Sequence, residues 1–119
     1  MAWSFSEEKA VYLQIAERIT ISVIAGKYLS GEQIPSVRQL AQEIAVNPNT
    51  VQHAFSELEN DGLIVSKGTQ GRYVTEDGAV IEDCRKKLAK KLFGEFVSRA
   101  KELSLGKDEL ISIIKEMEL

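Results

Sequence analysis

The stretch Ile34-Pro35-Ser36-Val37-Arg38-Gln39-Leu40-Ala41, followed four residues later by Val46-Asn47-Pro48-Asn49-Thr50-Val51, decides the fold of this chain. It reads as two capped short helices joined by a tight turn, the pattern of a helix-turn-helix. Pro35 stops whatever precedes it. Ser36 can accept from a free amide of the first turn, and Gln39 three residues on can reach back, the reciprocal arrangement of a capping box. Asn47 caps the second helix, and Pro48 takes the first helical position, where its missing N–H costs nothing and its φ is already helical.

Upstream, Tyr12, Ile15, Ala16, Ile19 and Val23 fall at the three-and-four spacing of an amphipathic helix from Ala10 to Ala25, which Gly26 ends. Tyr28 and Leu29 anchor a short, ordered connection to Ile34-Pro35. The first motif helix, Ser36 to about Ile44, offers Val37, Leu40, Ala41 and Ile44 to a core. The second, Asn47 to about Asn60, offers Val51, Ala54, Phe55 and Leu58, with Asp61-Gly62 as its stop. After Gly62 the period changes. Leu63-Ile64-Val65, the turn residues Lys67-Gly68-Thr69-Gln70-Gly71 and the run Arg72-Tyr73-Val74-Thr75 read as a β-hairpin, and a hairpin directly after a helix-turn-helix is a wing. Glu76-Asp77-Gly78 breaks the pattern. A long helix is expected from about Ile81 to Leu103, with Ile81, Cys84, Leu88, Leu92, Phe96, Ala100 and Leu103 three or four apart, and after Gly106 a last helix carries Leu110, Ile111, Ile114 and Met117. The expected class is mainly α with a small β-hairpin: a winged helix-turn-helix DNA-binding domain over residues 1–76, then a two-helix α-helical dimerisation tail over 77–119.

A length of 119 residues suits one domain, or one small domain with an appendage, and 44% apolar content supports an ordinary core. No stretch approaches the roughly 18 to 20 apolar residues of a membrane span, and Met1-Ala2-Trp3-Ser4-Phe5-Ser6-Glu7-Glu8 lacks the basic-then-apolar order of a secretory signal, so a soluble cytoplasmic protein is expected. The single cysteine, Cys84, allows no intramolecular disulfide, and one Cys with one His makes no structural zinc site. On an apolar helix face Cys84 reads as a small core or interface residue. An enzyme would need a nucleophile with a base, a metal cluster or a phosphate loop. None is evident, and no cofactor or metal is expected.

A tail of about 40 residues is too small for an independent core, so its apolar stripe either folds back on the first domain or pairs with a second copy. Pairing is the preferred reading. Phe93 and Phe96 add aromatic area that can anchor a symmetric interface, with Leu88, Leu92, Leu103, Leu110 and Ile114 completing it.

Charge runs against a nucleic-acid partner. Through Ala79 there are six basic and ten acidic side chains, a net of −4, whereas beyond it nine basic face eight acidic, with Arg85, Lys86, Lys87, Lys90 and Lys91 within seven residues. A nonspecific phosphate binder has the opposite balance. Net charge governs long-range attraction and not whether one face can dock. The expectation is modest nonspecific affinity, with capped helix ends and a few placed cations carrying the phosphate contacts.

The order of elements and the residues themselves resemble the GntR family of bacterial transcription regulators. The likeness is carried by Pro35-Ser36-Val37-Arg38-Gln39-Leu40-Ala41, then Asn47-Pro48-Asn49-Thr50-Val51, then Leu58-Glu59-Asn60-Asp61-Gly62-Leu63-Ile64, and then Gly68-Thr69-Gln70-Gly71-Arg72-Tyr73-Val74, and it covers about Tyr12 to Val74. The short stretch from Gly78 onward is similar to the two-helix tail of the YtrA-type branch, which implies a homodimeric repressor of an inverted-repeat operator, commonly in an operon with ABC transporter genes. So short a tail leaves little room for an enclosed small-molecule pocket, and any effector is to be sought at the dimer interface or near Glu76 to Ala79.

The resemblance also assigns roles. Arg38 matches an arginine that meets DNA at or near the major groove; Asn47, Asn49 and Thr50 match the opening turn of the recognition helix, where phosphates and base edges are met. Gln52 and Pro48 stand where several relatives carry basic contact residues. Gln52 can read adenine by a bidentate pair but cannot neutralise a phosphate. Lys67, Gly68 and Thr69 match the wing tip that enters the minor groove, where glycine lets the backbone approach closely. Competing readings stand beside these. Ser36 and Asn47 are needed as caps with or without DNA. Arg38 is unfavourable beside a helix N-terminus, which argues for a contact rather than a structural role. His53 reads as a surface or boundary residue, and Arg85 to Lys91 as a solvated helix face that could also lie beside the DNA backbone. The rival function is a winged helix used for protein contacts. The polar turn Asn47-Pro48-Asn49-Thr50 with Arg38 speaks against it, because such a face should offer apolar anchors.

Overall fold

The structure, a computed structural model, describes residues 3–119. Two compact units are formed, Met1–Lys86 and Lys87–Leu119.

The first unit is built on three helices, α1 (Val11–Ile24), α2 (Val37–Ile44) and α3 (Pro48–Asn60), followed by strands β1 (Ile64–Ser66) and β2 (Arg72–Val74). The apolar positions read from the sequence turn inward: Phe55, Ile15, Ile44, Leu58, Leu63, Ile64, Val51 and Val74 are almost completely removed from solvent. At roughly 1.5–3 kcal/mol for each large apolar side chain, this single cluster is the main stabilising contribution. Trp3 and Phe5 pack against its edge. The segment that carries them is held by Gln14, whose amide accepts from Ser6 N at 2.8 Å and donates to Ser6 O and Lys9 O at 2.8 Å each.

The strands are antiparallel, with Ile64 opposite Val74, Val65 opposite Tyr73 and Ser66 opposite Arg72. The connection before α2 forms a third edge of this ribbon: Val74 N donates to Glu32 O (2.8 Å), Gly31 N to Val74 O (3.0 Å) and Ile34 N to Arg72 O (3.0 Å). No strand signal marks residues 31–34 in the sequence. The pairing is supplied by the ribbon they meet.

Helix α4 (Gly78–Lys101) and helix α5 (Lys107–Glu116) follow. Two details differ from the sequence expectation. Gly78 does not break the chain but opens α4, because Asp77 Oδ1 accepts from Ala79 N at 2.9 Å while Asp77 N donates to Thr75 Oγ1 at 3.1 Å. An aspartate cap thus outweighs the helix-breaking tendency of its glycine neighbour. At the other end α4 stops at Lys101, two residues short of Leu103, where Ser104 turns left-handed (φ 60°) and Leu105 N reaches back to Ala100 O at 3.4 Å. The first turns of α4 belong with the first unit, Ile81 and Cys84 packing against its core.

In the second unit Ala100 and Leu110 are buried. Helix α5 begins where Gly106 N donates to Glu109 Oε1 at 3.3 Å, with Asp108 and Glu109 in its first turn and Lys115 in its last, the order the helix dipole favours.

Candidate nucleic-acid interface

The helix-turn-helix is assembled by its caps. Ser36 Oγ accepts from Gln39 N at 3.1 Å and Gln39 Oε1 accepts from Ser36 N at 2.9 Å, so the capping box is complete and α2 starts at Val37. Helix α2 ends on Ala45, a left-handed alanine at φ 59°, ψ 49°. Val46 N then closes the turn onto Ala41 O at 3.1 Å. Asn47 Oδ1 accepts from Asn49 N at 2.8 Å, and Pro48 is the first residue of α3. Both caps are formed as the sequence indicates.

Helix α3 buries Val51, Ala54, Phe55 and Leu58 and leaves Asn49, Gln52 and His53 exposed on its other side, with Thr50 half-buried. Those outward positions lie three and four residues apart, so they form one face. His53 stacks on Tyr12 of α1, the ring centroids 3.5 Å apart and the planes 8° from parallel. Ahead of this face Arg38, Ala41, Gln42, Ala45, Val46 and Pro48 line an open concavity of about 480 Å³. Arg38 is exposed at its rim.

The wing tip is a 3-10 turn, Gly68–Gln70, closed by Lys67 N to Gly71 O at 2.8 Å and steadied by Gln33 Nε2 donating to Gln70 O at 2.8 Å. Gly68 sits at φ 61°, which a side chain would resist. Lys67, Gly68 and Thr69 are exposed, and the Lys67 ammonium rests 4.5 Å above the Tyr73 ring.

No local pattern in the sequence marks Arg72. Its Nε donates to Glu59 Oε1 at 3.0 Å, its Nη2 to Gln52 Oε1 at 3.4 Å, and its guanidinium lies 5.2 Å from the Phe55 ring centroid. Strand β2 and helix α3 are therefore tied by one side chain. The partners are 13 and 20 residues away, beyond any local pattern.

Arg72 is matched by Glu59, and Arg85 is matched by Glu82, whose carboxyl the Arg85 hydrogen bond holds below the ordinary range. Among the described residues no group of His, Cys, Asp or Glu side chains is placed to hold a metal ion, and no helix is long and apolar enough to cross a membrane.

Residues 11–74, the span of α1, the helix-turn-helix and the wing, match the family described as bacterial regulatory proteins, gntR family. The chain belongs to the GntR family. The GntR match extends beyond the winged helix in an uncharacterized HTH-type transcriptional regulator, YhcF of Bacillus subtilis, which is 36% identical over 93% of this chain and 92% of its own length. The HTH-type transcriptional repressor YtrA of Bacillus subtilis is 39% identical over 56% of this chain and 52% of its own length. Among solved structures, a GntR family transcriptional regulator from Listeria monocytogenes superposes with a TM-score of 0.83 at 36% identity, covering 96% of this chain and all of that one. The DNA-binding domain of AraR in complex with operator ORX1 gives a TM-score of 0.55 at 29% identity over 63% of this chain and 92% of that one. This GntR chain is thus a transcription regulator with a DNA-binding domain, and its relatives are regulators rather than enzymes.

Proposed function

We propose that this GntR regulator is a homodimeric repressor that sets the α3 helices of two copies in successive major grooves of an inverted-repeat operator, with the wings at the adjacent minor grooves. The observation that carries the reading is the doubly capped helix-turn-helix, whose α3 residues Asn49, Gln52 and His53 and whose α2 residue Arg38 are all exposed. Ser36, Asn47 and Thr50 serve the phosphate side of this contact through the helix starts, and Lys67, Gly68 and Thr69 serve the wing. Half-sites then lie about one helical turn apart. The AraR neighbour in complex with its operator supports DNA as the partner, and the name of YtrA as a repressor supports the sign. Likeness to the YtrA-type branch makes an ABC transporter operon the first place to look for the regulated genes.

Dimerisation is supported by the second unit, which leaves Leu92, Phe93, Phe96, Ile111, Ile113, Ile114 and Met117 between 40% and 60% exposed. Leu103 is exposed as well, whereas Leu110 is already buried and Leu88 half-buried within one chain, so the last two offer a partner less area.

Selection of bound duplexes from a random pool, with Arg38→Ala in parallel, tests the reading. Enrichment of a two-fold symmetric site by the parent, with a loss of about 1–3 kcal/mol in the variant, is expected. Failure of the folded parent to enrich any site even at low salt hands the lead to a protein-contact module, which the net charge of −4 through Ala79 favours.

A further inference from the structure

The amide of Gln52 is engaged at both ends. Its Oε1 accepts from Arg72 Nη2 at 3.4 Å and its Nε2 donates to Ser56 Oγ at 3.4 Å, while that hydroxyl donates to Gln52 O at 3.0 Å. The two engagements differ in kind. Arg72 is a charged donor whose guanidinium is anchored to Glu59 at 3.0 Å, with only 23% and 30% of the two side chains exposed, so it does not swing away cheaply. The two bonds are equally long, but the one to Ser56 joins neutral groups, and a base edge can replace it. A glutamine reads adenine by accepting from N6 while donating to N7; guanine instead presents two acceptors, O6 and N7. With one of its two lone pairs taken by an anchored cation, the oxygen is the less available end of the amide, and the N–H groups, whose partner is neutral, are the ones a base edge recruits first.

We infer that Arg72 sets the base preference of the recognition helix: by holding Gln52 Oε1 it biases the amide toward donating, so that Gln52 favours guanine over adenine. Arg72 is a positioning residue here, acting on DNA through Gln52. The inference rests on the operator-binding reading above.

The test compares sites selected by the parent, Arg72→Ala, Arg72→Lys, Gln52→Ala and the double variant Gln52→Ala/Arg72→Lys. Lysine keeps a cation for Glu59 but lacks the planar fork by which Arg72 reaches Glu59 and Gln52 from separate nitrogens, so Arg72→Lys reports on base choice even where the alanine variant unfolds. Expected is guanine at one position per half-site for the parent, a shift of roughly 5- to 100-fold toward adenine at that position alone in both Arg72 variants, and no further change when Gln52 is absent. Retention of the parental base at every position by Arg72→Lys overturns the inference, as does a shift that persists without Gln52. A uniform loss of affinity with unchanged base choice makes Arg72 a structural tie only. A parent that enriches no site removes the operator-binding reading and this inference together, whereas a parent with a clear site and unshifted variants removes this inference alone.

Discussion

A Cβ added to Gly71 would lie 2.7 Å from Gln33 Nε2, the nitrogen that donates to Gln70 O and steadies the wing tip. Gly71 also stands at φ 106°, ψ −160°, a region that side chains essentially do not enter. Conformation and space therefore make the same demand.

Gly71→Ala is expected to cost about 1–3 kcal/mol, from backbone strain and the displaced Gln33 amide. Denaturant unfolding measures the loss, and amide exchange localises it. The Lys67 N–H, bound to Gly71 O, should exchange faster while the buried turns of α1 keep their protection. Unchanged exchange at Lys67 would show that the tip tolerates a side chain.

Ser36→Ala removes the acceptor for Gln39 N while the bond from Ser36 N to Gln39 Oε1 stays in place, at an expected cost of about 1 kcal/mol. Asn47→Ala should cost a similar amount at the start of α3. Ser36→Thr should recover most of the first loss. A cap worth nothing in unfolding experiments would mean that packing alone fixes where α2 begins.

Phe96→Asp tests the tail. Phe93 and Phe96 are 60% and 52% exposed in the single chain, so a charge at 96 disturbs little that one copy buries for itself. The expected result is a folded protein that sediments as a monomer at concentrations where the parent is a dimer. A variant that sediments with a dimeric parent would move the interface off this stripe.

Burial pushes the Tyr28 hydroxyl above the ordinary tyrosine value, and the Glu43 and Glu32 carboxylates add to the effect. A raised value favours the protonated form of the folded state. The stability it contributes is whole below about pH 10 and is lost as pH rises through the folded value. Unfolding midpoints should therefore fall more steeply on the alkaline side for the parent than for Tyr28→Phe. Identical alkaline slopes would place the phenol outside the folding equilibrium.

Most of the local chemistry is legible in the sequence. Ser36 with Gln39 and Asn47 with Pro48 announce their helices within three residues, and the inward faces of α1, α2 and α3 follow from spacing alone. What escaped depends on distant partners. Residues 31–34 pair as a strand edge only because β2 lies beside them, and Arg72 ties to Gln52 and Glu59 across 20 and 13 residues. The start of α4 was misread for a local reason: Asp77-Gly78 looks like a stop, and only Asp77 bonding forward to Ala79 N distinguishes a cap from a break. The membership of the exposed helix-turn-helix face was visible, but the engagement of Gln52 on that face was not.

Ala45 holds the left-handed turn between α2 and α3 without being glycine or asparagine. A left-handed alanine stores on the order of 1 kcal/mol, whereas Ile44 and Val51 on either side remain fully packed. The joint therefore spends stability that the neighbouring core can supply, and the same small side chain lines the concavity beside Arg38. Position 45 is a place where this scaffold has room to drift: substitutions that relax the turn also reshape the lining of that concavity. Backbone strain and the shape of the surface beside Arg38 are thus coupled at a single position.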